Sequence, residues 1–485
     1  MTAVSAPTSA QLFIAGEYSD GTGQERYDVT SPATGEFIAS FPLPTEADLD
    51  KAVAKAHEAK GAWQKLGVFK RAEICHKIGD ALTARVDELA RLQSLEQGKP
   101  LAESIADIEE AAQLFHLHAE DAIRLNGETI QSTDTQKRMF TFRAAVGVWG
   151  IITPWNFPLL MFAEFIAPGL ATGNAHVVKP PANTALTVLA AMECLTEAGV
   201  PAGLVSVLPG EGDFGAKLTS HKGIDAIGFI GSSATAGKIQ ATSGFKRSIM
   251  EASGNGPIVV LADADLKRAA QKAVDGAFFC AGQVCCATER VIVHKDVHEA
   301  FVKEVLDYAK ATVKLGNPFD ADTNLGPLNN ELVAQKMDAH MADARERGLD
   351  ILMGGQRSTE FPTNLYYEFT VVDNVTEDSL LSREESFGPV LPIIVGEDDD
   401  DLLRIANDDA LGLQGAVFTQ NMTSAFRFIE EMEVGQVVVN DSNGWWDINM
   451  PFGGAGGKGT GWGRIGGVHT LLDMTDLRTG VLHLG

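Results

Sequence analysis

Four short segments carry residue types that could do chemistry. In the run GAFFCAGQVCC, Cys285 follows Gly282, Gln283 and Val284 behind an apolar stretch. Read as a turn that leads into a helix N-terminus, this setting would lower the thiol pKa and supply a nucleophile. The run RSIMEASGNGP places Glu251 at the end of a predicted strand ahead of flexible glycines, where a carboxylate can serve as a general base. In GIITPWNFPLL, Asn156 lies between two prolines on a loop after a strand, and an amide on a rigid loop can stabilise an oxyanion. In AIGFIGSSATAG, Gly231 and Ser232 mark a strand-to-helix junction whose backbone N–H groups can meet a phosphate. Each segment alone also has an ordinary structural reading: a small buried thiol, a solvated strand-end acid, a turn asparagine, a weak loop motif. A metal site has no support, because the nearby His294 and His298 give no ligand spacing with the cysteines.

Residues of this kind need a scaffold that holds loops at the ends of strands. From Val146 onward, short apolar runs rich in β-branched residues alternate with helical stretches: VGVWGIIT, HVVK, LVSVL, AIGFIG, RSIME and PIVVLA. Their spacing of about 25 residues is that of βαβ units, which predicts a parallel sheet covered by helices. A second α/β region begins after Pro257, holds the cysteine cluster, and continues with helices predicted at Val297–Lys314 and Asn330–Glu346. Before the first sheet, the pattern from Thr45 to about Leu125 is helical. It opens on the capping-box-like Thr45-Glu46-Ala47-Asp48, and apolar residues then recur at three and four spacings. One helix covers DLDKAVAKAHEAKGAW, and two more are predicted before and after Gly98-Lys99-Pro100. The polar, β-prone run TIQSTDTQKRMFTFR predicts an exposed hairpin.

The chain has 485 residues, room for two or three domains at roughly 150 residues each. Its net charge of −26 argues against nucleic acid or an anionic membrane as a partner. Five cysteines are too few for a disulfide scaffold and point to a reducing compartment. The opening MTAVSAPTSAQ is small and polar and reads as a flexible arm, not a signal peptide. The most apolar stretch, FPLLMFAEFIAPGLA from Phe157, contains Glu164 and two prolines, so it reads as a buried helix, not a membrane span.

Order and context tie the segments together. PWNFPLL, FIGSS, MEASGNGP, FFCAGQVCC, EESFGPV and PFGG occur in the order and rough spacing of the aldehyde dehydrogenase superfamily, which the chain resembles from about Phe13 to its C-terminus. The resemblance implies an α/β fold: a Rossmann-like parallel-sheet cofactor domain, an α/β catalytic domain and a small β oligomerisation element. The expected boundaries are 1–126 with 146–253, then 254–465, then 127–145 with 466–485. It also implies oxidation of an aldehyde with NAD or NADP. Cys285 matches the nucleophile that forms a thiohemiacetal, Asn156 the amide that holds the oxyanion with the Cys285 N–H, and Glu251 the base that activates water to hydrolyse the thioester. On the cofactor side, Glu385 and Phe387 match the residues that hold the nicotinamide ribose, and Lys179 the lysine at the adenine ribose. Gly231 and Ser232 match the pyrophosphate loop, and Thr153 and Trp155 fall among the cofactor contacts. The expected assembly is a homodimer or homotetramer in the cytoplasm, acting on a small-molecule aldehyde without nucleic acid or membrane.

The chain departs from the family pattern at four places. Gly231 and Gly237 are six residues apart where five is usual. Ala182 stands where many NAD-preferring members carry glutamate, which removes a ribose acceptor and a negative charge and so leads to an expectation of NADP use beside NAD. Ala252-Ser253-Gly254-Asn255 replaces leucine, two glycines and lysine, and Ile465 follows Arg464 where a second acid is frequent. Phe157, Met161, Phe162, Glu164, Trp445 and Trp446 are expected to line the substrate tunnel. Their aromatic character, with a glycine-rich tail like that of the benzaldehyde and vanillin branch, favours an aromatic aldehyde. Two alternatives stay open: an enzyme in which coenzyme A resolves the thioester, and a non-catalytic protein of the same fold.

Overall fold

The computed structural model describes residues 9–485, so most of the expected N-terminal arm, residues 1–8, lies outside the described residues. Two large sheets, each with its own hydrophobic core, form the body. The first runs in the order Gly461–Trp462, Arg247–Glu251, Ala226–Ile230, Val148–Ile152, Ala175–Lys179, Val205–Val207, Leu12–Ile14, Glu17–Ser19. Its five central strands are parallel and its edges antiparallel. These five strands coincide with the β-branched runs read from the sequence. Every residue of Val148–Ile152, Ala175–Lys179, Val205–Val207 and Ala226–Ile230 is buried, as expected for a sheet covered on both faces.

The second sheet has the order Asp350–Met353, Thr370–Asp373, Val390–Gly396, Arg290–His294, Pro257–Val260, Gln414–Phe418, Gln436–Val439, all parallel except the first strand. A third, antiparallel ribbon pairs Thr475–His483 with Lys137–Ala145 over nine residues, and Thr129–Ile130 adds a short third strand. The expected hairpin is therefore real, and it borrows its long partner from the C-terminus.

The helical region differs from the expectation in count. Four helices, not three, occupy it: Glu46–Lys65, Val68–Ala84, Val86–Gln97 and Leu101–Ile123. The extra break falls at Arg85, whose φ of −115° and ψ of 16° leave the helical region. No glycine or proline signals it. The turn is held by the Arg85 guanidinium, which pairs with Glu88 and Glu193. The Thr45–Asp48 capping box forms as read, with side chain and backbone bonded in both directions. The apolar stretch after Phe157 is a helix, Pro158–Thr172, with all but one of its residues buried. No helix among the described residues is long and apolar enough to cross a membrane.

Candidate active site

In the first sheet the strand order reverses between Val148–Ile152 and Ala226–Ile230. The crevice outside the carboxyl ends of two such strands is a natural ligand site, because their loops diverge there. The loops that leave these strands are Thr153–Asn156 and Gly231–Ser232. They open onto a cavity of about 1110 Å³ lined by residues of both large sheets. Asn156, Glu251 and Cys285 all line it, as do Thr153, Trp155, Gly231, Ser232, Glu385 and Phe387. Residues far apart in the chain and belonging to different sheets thus converge on one space.

Cys285 stands on a turn, but that turn leads into the strand Arg290–His294, not into a helix as expected. No helix dipole lowers its pKa. The pKa is instead raised well above the ordinary thiol value, by a hydrogen bond with Cys286, by burial, and by Glu385. The turn is reached through three consecutive residues with positive φ, Cys280 (50°), Ala281 (55°) and Gly282 (73°). Such a run is unfavourable for L-residues and persists only where the surroundings dictate it. Here a side chain at Gly282 would run into the Gly388 carbonyl, and the Gln97 amide donates to the Cys280 thiol at 3.7 Å. The turn itself is closed by Gln283 N–H to the Cys280 carbonyl and by Ala287 N–H to the Val284 carbonyl, bonds in which the Cys285 N–H takes no part.

Asn156 is buried and its Nδ2 donates to the Gln283 carbonyl at 2.8 Å, which aims its amide at the cysteine turn. Gln283 is fixed in turn: its Oε1 accepts the Asn329 N–H at 2.8 Å, and its Nε2 donates to the Cys280 carbonyl at 2.9 Å. Glu251 ends its strand as read, yet it is not a solvated acid. It is 3% exposed, and neither carboxylate oxygen has a hydrogen-bond partner. Burial, then the Cys285 thiol, then Glu385 raise its pKa well above the ordinary carboxylate value. A carboxyl left unpaired inside a cavity and beside a thiol is a candidate proton-transfer group.

The loop with Glu385 and Phe387 is held by an acid that the sequence reading passed over. Buried Glu289 accepts the N–H groups of Ser386 and Phe387, each at 2.9 Å, and burial pushes its pKa up to about 8. Phe387 is forced to a φ of 56°, and its ring meets Trp155 edge-on at 5.4 Å. Glu385 accepts the Gly254 N–H at 3.0 Å, tying this loop to the glycines that follow Glu251. Gly254 itself must lack a side chain, since one would strike the Cys285 carbonyl. The signal for Glu289 was present in CCATER, but an acid just ahead of a strand carries no mark of what it holds.

Elsewhere in the cavity, Ser232 caps the helix Ser233–Thr242, so the N–H groups of its first turn face the space beside Gly231. Gly237 lies inside that helix with open space around it, so the altered glycine spacing does not distort the junction. Thr153 contributes a buried hydroxyl without a partner. Lys179 is the residue whose placement departs from the simple expectation. It is 7% exposed, and its Nζ is engaged by the Gly210 carbonyl at 2.7 Å. A helix N-terminus, an unpartnered hydroxyl, the carboxylate of Glu385 and an aromatic pair form a surface that fits a dinucleotide.

On the other side of Cys285 the walls are Phe157, Leu160, Met161, Phe279, Trp445, Trp446, Phe452 and Ile465. The expectation for Phe162 and Glu164 is corrected, since neither lines the cavity: Phe162 lies on the opposite side of the helix, in the core, and Glu164 shares the face of Leu160 and Met161 but is fully buried one turn farther along. The opposite wall comes from Leu101–Ile123, through Glu103, Asp107 and Glu110, which the sequence reading did not single out. Their spacing of four and three residues places them on one helix face. Lys99 is fully buried, bonds Asp107 at 3.1 Å and lies 3.7 Å over the Phe157 ring.

Residues 18–479 match the family model described as the aldehyde dehydrogenase family. The chain belongs to the aldehyde dehydrogenase family. It is an NAD(P)-dependent aldehyde dehydrogenase, and its structure resembles other members throughout. The aldehyde dehydrogenase KauB from Pseudomonas aeruginosa is 35% identical, with a TM-score of 0.95 and coverage of 99% of this chain and 97% of that one. An NADP-dependent enzyme from E. coli is 32% identical, with a TM-score of 0.95 and 98% of both chains covered. An NAD-dependent aldehyde dehydrogenase from Sinorhizobium meliloti is 31% identical, with a TM-score of 0.96 and coverage of 100% and 97%. Both cofactors therefore occur among relatives of this aldehyde dehydrogenase at nearly equal distance from it.

Proposed function

We propose that this aldehyde dehydrogenase converts an aromatic aldehyde to its carboxylic acid through a thioester at Cys285 that water, not coenzyme A, resolves. The observation that carries the reading is Glu251, a buried and unpaired carboxyl sharing the cavity with Cys285 and Asn156. As Cys285 Sγ bonds to the carbonyl carbon, the thiol gives up its proton and the carbonyl oxygen takes the π electrons. Asn156 Nδ2 and the Cys285 N–H stabilise that oxygen. Glu385, Phe387 and Trp155, with the loop at Gly231 and Ser232, would hold NAD(P), which when bound would supply the hydride acceptor. Thr153 would complete that contact set, and Lys179 would join it on release from the Gly210 carbonyl. Collapse of the oxyanion re-forms the C=O bond as the C–H bond breaks and its hydrogen leaves as hydride, which gives the thioester. Ionised Glu251 then takes a proton from water as its oxygen attacks the thioester carbon, the C–S bond breaks, and Cys285 regains a proton.

The aromatic substrate is supported by the tunnel walls. Burial pushes the pKa of Glu103 up to about 8 and that of Glu110 up to about 7, and Asp107 is paired with Lys99. At neutral pH this wall therefore carries less charge than its three acids suggest, which suits an uncharged ring. Kinetics with benzaldehyde, vanillin, hexanal and succinic semialdehyde, with and without coenzyme A, test the reading. The expected result is the highest kcat/KM for an aromatic aldehyde and no coenzyme A requirement. Preference for hexanal or succinic semialdehyde refutes the substrate class, and acyl-coenzyme A formation refutes the hydrolytic route. A homo-oligomer in the cytoplasm completes the proposal. It is supported by Phe140, Phe142, Val481 and Leu482 exposed on the antiparallel ribbon and by five free cysteines.

A further inference from the structure

The cavity extends across the first sheet in the direction away from Cys285. Beyond Gly231 and Ser232 it is lined by Tyr27, Pro181, Asn183 and Glu211. Pro181 follows the strand Ala175–Lys179 and Glu211 follows Val205–Val207, the next two strands outward from Val148–Ile152. If the nicotinamide half of a dinucleotide lies by Cys285 and the phosphates lie at Ser232, the adenosine half has only this end to occupy. The sugar there is where NAD and NADP differ, by one 2′-phosphate.

Three charged side chains surround this end. Glu211 is the exposed N-cap of the helix Gly212–Ser220, and its carboxylate makes no bond to the amides of that helix. Asp213 lies in the first turn of the same helix. Lys179 packs its stem against that turn, with its Cδ and Cε 3.5 Å from where a side chain at Gly215 would begin. Its Nζ is bound to the carbonyl of Gly210, the residue before Glu211. Glu211 and Asp213 both act on the Lys179 charge, and Glu211 also acts on Tyr27, so these groups share one electrostatic neighbourhood. Lys179 is drawn inward and Glu211 stands outward, so the charge presented to a ligand is negative.

We infer that Glu211 is a specificity-determining residue which disfavours the 2′-phosphate and selects NAD over NADP. The inference rests on the cavity being the dinucleotide site. It reverses the expectation drawn from Ala182: the carboxylate missing at 182 is replaced by one from the following βα loop. Ala182 is itself 4% exposed and does not line the cavity. A carboxylate facing a phosphate carrying close to two negative charges repels it, and it can accept the ribose hydroxyl of NAD instead.

The test is equilibrium binding, by calorimetry, of NAD, NADP, 5′-AMP and adenosine 2′,5′-bisphosphate to the wild type and to Glu211→Gln, which is exposed and isosteric. Wild type should bind each unphosphorylated ligand at least about tenfold more tightly than its 2′-phosphorylated partner at low salt, and less selectively at high salt. Glu211→Gln should reduce that ratio at least about tenfold, while Asp213→Asn changes it less. Near-equal binding of both members of each pair by the wild type, or an unchanged ratio in Glu211→Gln, overturns the inference while leaving the dinucleotide site intact. Failure of the wild type to bind any of the four overturns the site and the inference together.

Discussion

The Asn156 amide donates to the carbonyl of Gln283, two residues ahead of Cys285, across the boundary between the two large sheets. One Nδ2 hydrogen fixes the side chain on the cysteine turn, which leaves the other for the proposed oxyanion contact. Asn156→Asp cannot donate, so kcat should fall about 100- to 1,000-fold, the cost of one lost oxyanion donor. Circular dichroism should be unchanged. A variant with more than half of wild-type kcat would show that Asn156 only braces the turn.

Cys285 and Cys286 are neighbours with different expected outcomes. Cys285→Ala should abolish NAD(P)H formation. Cys286→Ala should keep most activity and, because the bond to Cys286 is the largest influence raising the Cys285 pKa, shift alkylation of Cys285 by iodoacetamide to lower pH. Equal loss of activity in two folded variants would remove the assignment of Cys285 as nucleophile.

Glu251 holds its proton above the usual carboxylate range, so its ionised, base-competent fraction grows as pH rises. Steady-state turnover of the wild type should therefore increase as pH rises. Glu251→Gln should still give a single-turnover burst of NAD(P)H and then stall, with steady-state kcat down about 100- to 10,000-fold. Equal loss of burst and steady state would place Glu251 before hydride transfer instead.

Glu164 is fully buried, neither carboxylate oxygen finds a partner, and burial together with Glu110 pushes its pKa up to about 8. In the unfolded chain the same group ionises near its ordinary 4.5. Its contribution to stability is thus whole below pH 4.5 and is lost as pH rises towards 8, by roughly 1.4 kcal/mol per pH unit at most. Glu164→Gln removes that dependence, so the Tm of the variant relative to wild type should be higher at pH 8 than at pH 5. A difference independent of pH would mean that the carboxyl is ionised inside the protein.

The ribbon of Thr475–His483 on Lys137–Ala145 exposes Phe140, Phe142, Leu477, Val481 and Leu482, each between 38% and 56%. Such a patch on a long edge is expected to be covered by another subunit. Light scattering at micromolar concentration should give a dimer or tetramer, and Phe142→Glu with Val481→Lys should lower the assembly state. A monomeric wild type would refute this.

The parts of this protein that were legible in its sequence are those governed by local rules. Fully buried parallel strands show as β-branched runs, and the Thr45–Asp48 box shows as a cap, because each signal lies within a few residues. Cys285, Glu251 and Asn156 were legible through motif order. Their surroundings were not. That Cys285 precedes a strand depends on the positive-φ run 280–282, which only contacts such as Gly388 explain. The support of Phe387 by Glu289 joins residues 98 positions apart. The wrong side assigned to Phe162 came from reading a stretch that is apolar on every face, where periodicity carries no direction, whereas Glu164 has the right side but lies too deep. Glu211 escaped because its role depends on which strand lies beside Ala175–Lys179.

Asn156 and Glu251 stand at the ends of strands of the first sheet, and Cys285 packs on that sheet's core, yet its turn leads into a strand of the second sheet and Glu385 precedes another. Catalytic competence is therefore less robust than the fold. A slip between the two lobes on warming shifts the Glu385 loop and the strand after Cys285 against Asn156 and Glu251 without opening either core. Inactivation should precede the loss of helical signal on heating, and a nucleotide bridging the lobes should narrow the gap between the two midpoints.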